Sequence, residues 1–295
     1  MATWFRLPAS LAVLHVLAAT LLAQHAFSSP GVRQMIGSSA AGSRLLRSDP
    51  GPAEPESDPL PPAKFDLGER ISAVTQGRVQ IEAGYVFTFE RAGGAKTWEH
   101  AAADLLLRVG LTERLELRLG WPGYVATIHE DAAGRTSSDR TLNPNVGFML
   151  DLFPQQGWLP QTAILASVPI TLDGNPFALE SLQPLSQVLY CWYLSDRLSF
   201  GGTTGLSLFD DQGDHFVQFQ QSVDLDYLLF DRLGTFVEWT VLVDHGSADD
   251  GAGHMLGAGL AMLCSEHFQV SWRAAIGLNE RAPDWLTGVR CALRF

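Results

Sequence analysis

From residue 78 onward the chain alternates apolar and polar residues over stretches too long for ordinary strands. In "RVQIEAGYVFTFE" (78–90), Val79, Ile81, Ala83, Tyr85, Phe87 and Phe89 fall on one face. Gln80, Glu82, Gly84, Thr88 and Glu90 fall on the other, with Val86. In "VQFQQSVDLDYLL" (217–229), Val217, Phe219, Val223, Leu225, Tyr227 and Leu229 oppose Gln218, Gln220, Ser222, Asp224 and Asp226. Ordinary strands average ~5–6 residues, whereas a tilted strand needs ~9–11 to cross a bilayer. A chain patterned in this way forms a sheet with one apolar and one polar face, each of membrane-spanning length.

The pattern recurs near 78–90, 97–109, 113–128, 141–152, 160–171, 184–194, 197–209, 216–229, 234–243, 254–263, 267–278 and 285–295. The number of segments is even, as bacterial outer-membrane barrels require. Short links ("GLTER", "LSDR", "FDRL", "CSEH") alternate with longer acidic or Gly-rich ones ("HEDAAGRTSSDRT", "LDGNPFALESLQ", "DDQGDH", "DHGSADDGAGH", "NERAPD"). Short turns at one end and long loops at the other are the plan of such barrels, and the expected fold is all-β: an antiparallel transmembrane barrel of about twelve strands. A water-soluble sandwich or lipocalin-like barrel would also alternate. It would not explain the many Gly and Ala positions on the polar face, which suit a crowded interior, nor the acid-rich loops.

Register decides where the charges go. On a lipid face a central Arg or Lys costs about 2–4 kcal/mol. Glu82, Asp104, Arg108, Glu116, Arg118, Asp151, Asp224, Asp226, Glu238, Arg273, Arg290 and Arg294 are therefore expected on the inner face, lining the lumen. Two uses fit them: a polar pore, or a salt-bridged interior that only holds the barrel together. Their mixed signs set no ion selectivity. The last stretch, "TGVRCALRF", puts Val289, Cys291, Leu293 and Phe295 on the apolar side, and Phe295 reads as a barrel-insertion signal. Trp98, Trp121, Tyr124, Trp192, Tyr193, Tyr227, Trp239, Phe268, Trp272 and Trp285 fall mostly near strand ends, as interface girdles do.

The N-terminus (1–28) combines Arg6, an apolar run from Leu7 and small residues before Ser29, the composition of a secretory signal peptide. The alternative, an uncleaved helical anchor, is disfavoured by the shortness of the run and by His15. Residues 29–66, with "SDPGPAEPESDPLPPAK", read as a disordered linker, leaving 67–295 for the barrel. The net charge of −12 disfavours nucleic acid as a partner. Cys191, Cys264 and Cys291 lack CxxC spacing and read as small hydrophobes rather than a disulfide framework or metal site.

No catalytic motif is evident: there is no GxSxG, HExxH or phosphate-binding loop. His100 has no partner identifiable by spacing, and a lumen or loop role is expected for it. The acidic loops around Asp210, Asp211, Asp214, Asp244, Asp249 and Asp250 read as solvated rather than cation-binding. No cofactor, metal or catalytic residue is expected.

Together "TQGRVQIEAGYVFTF" (75–89), "LLLRVGLTERLELRLGWPGY" (105–124), "QTAILASVPI" (161–170), "LSDRLSFGGTTGL" (194–206), "QSVDLDYLLFDRLGTFVEW" (221–239) and "GVRCALRF" (288–295) resemble the outer-membrane family described as "putative MetA-pathway of phenol degradation". The resemblance runs in order over about residues 65–295. It implies a bacterial outer-membrane barrel that takes up small molecules, aromatic or hydrophobic compounds among them, by a passive route. The implied partners are outer-membrane lipids, a small-molecule solute and the barrel-insertion machinery. The family supplies no catalytic residues. A closed structural barrel and a lipid-modifying enzyme remain the alternatives at this stage.

Overall fold

The computed structural model describes residues 71–170, 183–211, 214–246 and 250–295. The signal peptide and linker expected over 1–66 lie outside the described residues, as does most of the loop expected at 172–183.

Fourteen strands form among the described residues: β1 (Val79–Ala92), β2 (Ala95–Gly110), β3 (Leu115–Trp121), β4 (Tyr124–Asp131), β5 (Gly134–Thr141), β6 (Asn145–Phe153), β7 (Gln161–Pro169), β8 (Leu185–Tyr193), β9 (Leu198–Asp211), β10 (Asp214–Phe230), β11 (Leu233–His245), β12 (Gly251–Leu263), β13 (Phe268–Gly277) and β14 (Trp285–Arg294). Every pairing is antiparallel. Because β1 pairs with both β2 and β14, the sheet closes on itself. Twelve of the strands, all but β4 and β5, form the closed barrel. Closure is completed beyond β14, where the Phe295 N–H donates to Val79 O at 2.8 Å and the Val79 N–H to Phe295 O at 3.3 Å.

The period-two pattern turns directly into two faces. Outward, Ile81, Tyr85, Leu225, Tyr227, Val237, Leu260, Trp272, Val289 and Leu293 are exposed, while inward Glu82, Arg108, Asp224, Glu238, Arg290 and Arg294 are buried. An apolar outside around a polar inside inverts the arrangement of a water-soluble protein and matches a barrel whose solvent is lipid. Aromatic side chains pair across the outer surface: Phe89 with Trp98 (5.6 Å between centroids), Phe87 with Trp285 (5.1 Å) and Trp192 with Phe200 (5.9 Å).

Three sequence expectations change. The stretch 113–128 is not one strand but two, broken at Pro122–Gly123. Gly123 has φ +85°, and a Cβ there would lie 2.0 Å from Ala102 O, so only glycine fits the break. The break is pinned by Trp121 Nε1–H donating to Leu142 O (3.0 Å) and by the Leu142 N–H donating to Gly123 O (2.9 Å). Below it, β3 pairs with β2 and β6; above it, β4 pairs with the upper part of β2 and with β5. The second change follows: "GRTSSDRT", expected within a loop, is strand β5, exposed along its whole length. Its uniformly polar sequence carries no alternation and conceals the strand. Third, two links at the loop end are shorter than expected, because β9 and β10 run on to Asp211 and from Asp214, and β1 and β2 meet at Gly93–Gly94.

Candidate functional site in the barrel interior

Eleven of the twelve charged candidates are buried, and Asp151 is half-buried. Seven of them join in one ladder across β14, β1, β2 and β3. At its centre Arg108, with no exposed side-chain surface, donates from Nε and Nη2 to the two oxygens of Glu116 (2.7 and 2.9 Å) and from Nη1 to Glu82 (3.3 Å). Glu116 also lies 3.4 Å from Arg118 Nη1. It thus sits between two guanidiniums that the β2–β3 register places directly opposite each other. On the other side Glu82 accepts from Gln80 Nε2 (2.7 Å) and Arg290 Nη1 (3.2 Å), while Arg290 Nη2 donates to Asp104. Arg294 donates from Nε and Nη2 to Gln80 Oε1 (3.1 and 2.8 Å). Three carboxylates among four guanidiniums, with bidentate geometry at the centre, meet the requirement that buried charge be paired and hydrogen-bonded.

The other charges sit elsewhere. Asp224 and Glu238 face each other across β10 and β11, and Asp226 accepts from Ser199 Oγ at 3.2 Å. Arg273 lies on β13. Asp224, Asp226 and Glu238 thus gather three acidic groups on β10 and β11.

Sequence reading did not anticipate two further features. The first is an apolar sector: Met149 on β6, Ala163 and Leu165 on β7, and Leu189 and Cys191 on β8 form one buried cluster, with Leu185 and Tyr193 packed against it. The second is the segment from Ile71 to Arg78, which enters the barrel ahead of β1. Ile71 belongs to the apolar cluster, and Ala73 packs against it. The backbone of the segment is fastened to the ladder and its neighbours: the Val74 N–H donates to Glu116 Oε2 (2.7 Å), the Ala73 N–H to the Asp151 carboxylate (3.2 Å), and Arg108 Nη2 to Ser72 O (3.0 Å). Gln161 Nε2 reaches Ser72 Oγ at 3.0 Å, and the Gly77 N–H donates to Gly110 O at 2.9 Å. Gly110 has no alternative here, since a Cβ would lie 2.1 Å from Thr75 O and 2.4 Å from Val74 O. The apolar sector left a trace in the sequence: "GFMLDLF", "QTAILASVPI" and "QVLYCWY" are apolar on both faces, the signature of strands buried on both sides.

His100 is placed on the outer face rather than in the lumen or a loop. It shares a 2.8 Å hydrogen bond with Tyr85 Oη and meets the Phe87 ring edge-on at 4.9 Å. The cysteines are all free: Cys191 is buried, Cys264 is exposed in the turn after β12, and Cys291 lies on the outer side of β14.

The closed antiparallel barrel, with its lipid-facing apolar exterior and polar interior, defines an outer-membrane β-barrel protein of the bacterial type. The chain belongs to the family described as "Putative MetA-pathway of phenol degradation", whose profile matches residues 64–295. Among solved structures it is similar to an outer-membrane channel from Pseudomonas putida F1, at 14% identity and TM-score 0.54, covering 79% of this chain and 100% of that one. It is also similar to the translocator domain of the autotransporter NalP from Neisseria meningitidis (12% identity, TM-score 0.49, 74% of this chain and 88% of that one). A third neighbour is the NanC porin (10% identity, TM-score 0.45, 73% of this chain and 98% of that one). No curated protein sequence matches the chain.

Proposed function

We propose that this protein is a passive outer-membrane channel for small molecules with an apolar or aromatic body, and that its interior charges line the route. The observation that carries this reading is the division of the interior into a paired charge ladder and an apolar sector on β6–β8. A barrel that only needed filling gains most from apolar packing throughout, because a buried ion pair is weak as a source of stability. A mixed lining instead suits solutes that carry an apolar ring and a polar group. The segment from Ile71 to Arg78 stands across part of this route, so the resting channel is read as narrow. The described bonds of the ladder run among its own charged groups, Gln80 and the backbone of the inserted segment, which supports a non-enzymatic role. Phe295, exposed beside the closing strands, is read as the contact for the barrel-insertion machinery.

The test uses refolded full-length protein in detergent, planar bilayers and liposomes. A gel shift between unboiled and boiled samples, stepwise currents, and faster entry of toluene than into protein-free liposomes are expected. A gel shift with neither currents nor faster entry would establish instead a structural barrel with a closed interior.

A further inference from the structure

The inserted segment has an odd construction. From Ser72 to Val74 its fastenings run to the side chains of Arg108, Glu116, Asp151 and Gln161, where a wall strand would use a backbone ladder. Two of its apolar side chains are buried, Ile71 and Val74, and Ile71 lies in the apolar cluster of Met149, Leu165 and Leu189, with Cys191. On its departure Glu116 keeps its bidentate bond to Arg108 and its contact with Arg118, so that this carboxylate is not left bare, while the half-buried Asp151 gives up the Ala73 N–H. What the departure exposes is the apolar patch under Ile71, and an apolar compound can cover that patch equally well.

We propose that Ile71 is an internal stand-in for the transported compound: it occupies the apolar site on β6–β8, and solute and segment exclude each other there. This rests on the channel reading above and adds regulation to it. Binding of an apolar aromatic molecule to the Met149–Leu165–Leu189–Cys191 surface expels Ile71, and the polar tethers at Ser72–Val74 then let go together. A ligand that binds only the expelled state shifts the population toward it, and weakening the internal competitor raises the apparent affinity for the external one by the same factor.

The experiment compares the wild type, Ile71→Ser and a deletion of residues 71–76, each confirmed as folded by heat-modifiability, in planar bilayers titrated with toluene. The wild type should pass from low to higher conductance as toluene rises. Ile71→Ser should reach its midpoint at no more than a tenth of that toluene concentration, and the deletion should conduct fully without toluene and be indifferent to it. A second readout is independent of bilayer effects. In a Cys264→Ser/Cys291→Ser background, Cys191 is the only thiol, and its maleimide labelling in detergent should speed up at least tenfold when Ile71 becomes Ser. An unchanged toluene midpoint together with an unchanged labelling rate would overturn the proposal. A deletion protein that folds but neither conducts nor admits toluene would overturn the channel reading itself, and this inference with it.

Discussion

Arg108 shows what a single buried charge must satisfy. Its guanidinium spends three nitrogens on Glu116, Glu82 and Ser72 O, leaving no room for a lysine, whose point charge lacks the planar fork. Removing one partner of a buried pair strands the other and costs about 3–5 kcal/mol. Arg108→Met should therefore lower the unfolding free energy of the heat-modifiable form, read from its denaturant midpoint and slope, by about that amount. Arg108→Met/Glu116→Met also removes the carboxylate that has lost its bidentate partner and should recover part of the loss, the remainder reflecting the acceptor that Val74 loses. A double variant no more stable than the single would show that the two residues are not coupled. The charge of these residues and their side of the sheet were legible in the alternation, since lipid excludes them. Their partners were not, because pairing depends on stagger between strands: Arg108 faces Arg118 in the register and is reconciled with it by Glu116, one pleat further along.

Elements were legible where two faces differ in polarity and hidden where they do not. β1, β10 and β14 alternate, and the alternation marks their limits to within about two residues. β5 is polar on both faces and escapes a period-two reading, whereas β6–β8 are legible as strands near 141–152, 160–171 and 184–194, but their apolar residues on both faces conceal which of them line the interior. The segment Ile71–Arg78 is hidden for another reason: its burial comes from long-range contacts with residues 42 and 78 positions away, and nothing local encodes them. Gly110 is a point at which the backbones of wall and segment approach closely, with the Gly77 N–H donating to Gly110 O at 2.9 Å. Gly110→Ala sets a methyl group within 2.1 Å of Thr75 O, so the segment must leave the wall there. Swelling assays with liposomes should then record faster entry of small sugars than for wild type, with the heat-dependent gel shift retained. An unchanged swelling rate would mean that the segment does not limit the route.

At the scale of the whole molecule the decisive property is which side of the wall faces apolar surroundings. Leu225 is 47% exposed on the outer face of β10, between Phe200 and Val237 in the register. On a protein surrounded by water, replacing so exposed a leucine by arginine would change stability by no more than about 0.5 kcal/mol, as surface substitutions generally do. With lipid around the barrel, the same guanidinium near the middle of the hydrocarbon costs about 2–4 kcal/mol, and toward the interfaces ~0–1. Leu225→Arg should consequently shift the guanidinium midpoint of folding into lipid vesicles by an amount in the upper range. The same exchange at Phe230, 69% exposed at the last residue of β10, should cost little. The contrast is the measurement that matters, because both residues are open to the surroundings and differ only in depth along one strand. Equal, small effects at the two positions would place water against both and remove the bilayer from the account. A large effect at Leu225 alone fixes the membrane band on the outer wall, and with it the direction in which any solute must travel through the charged and apolar sectors within.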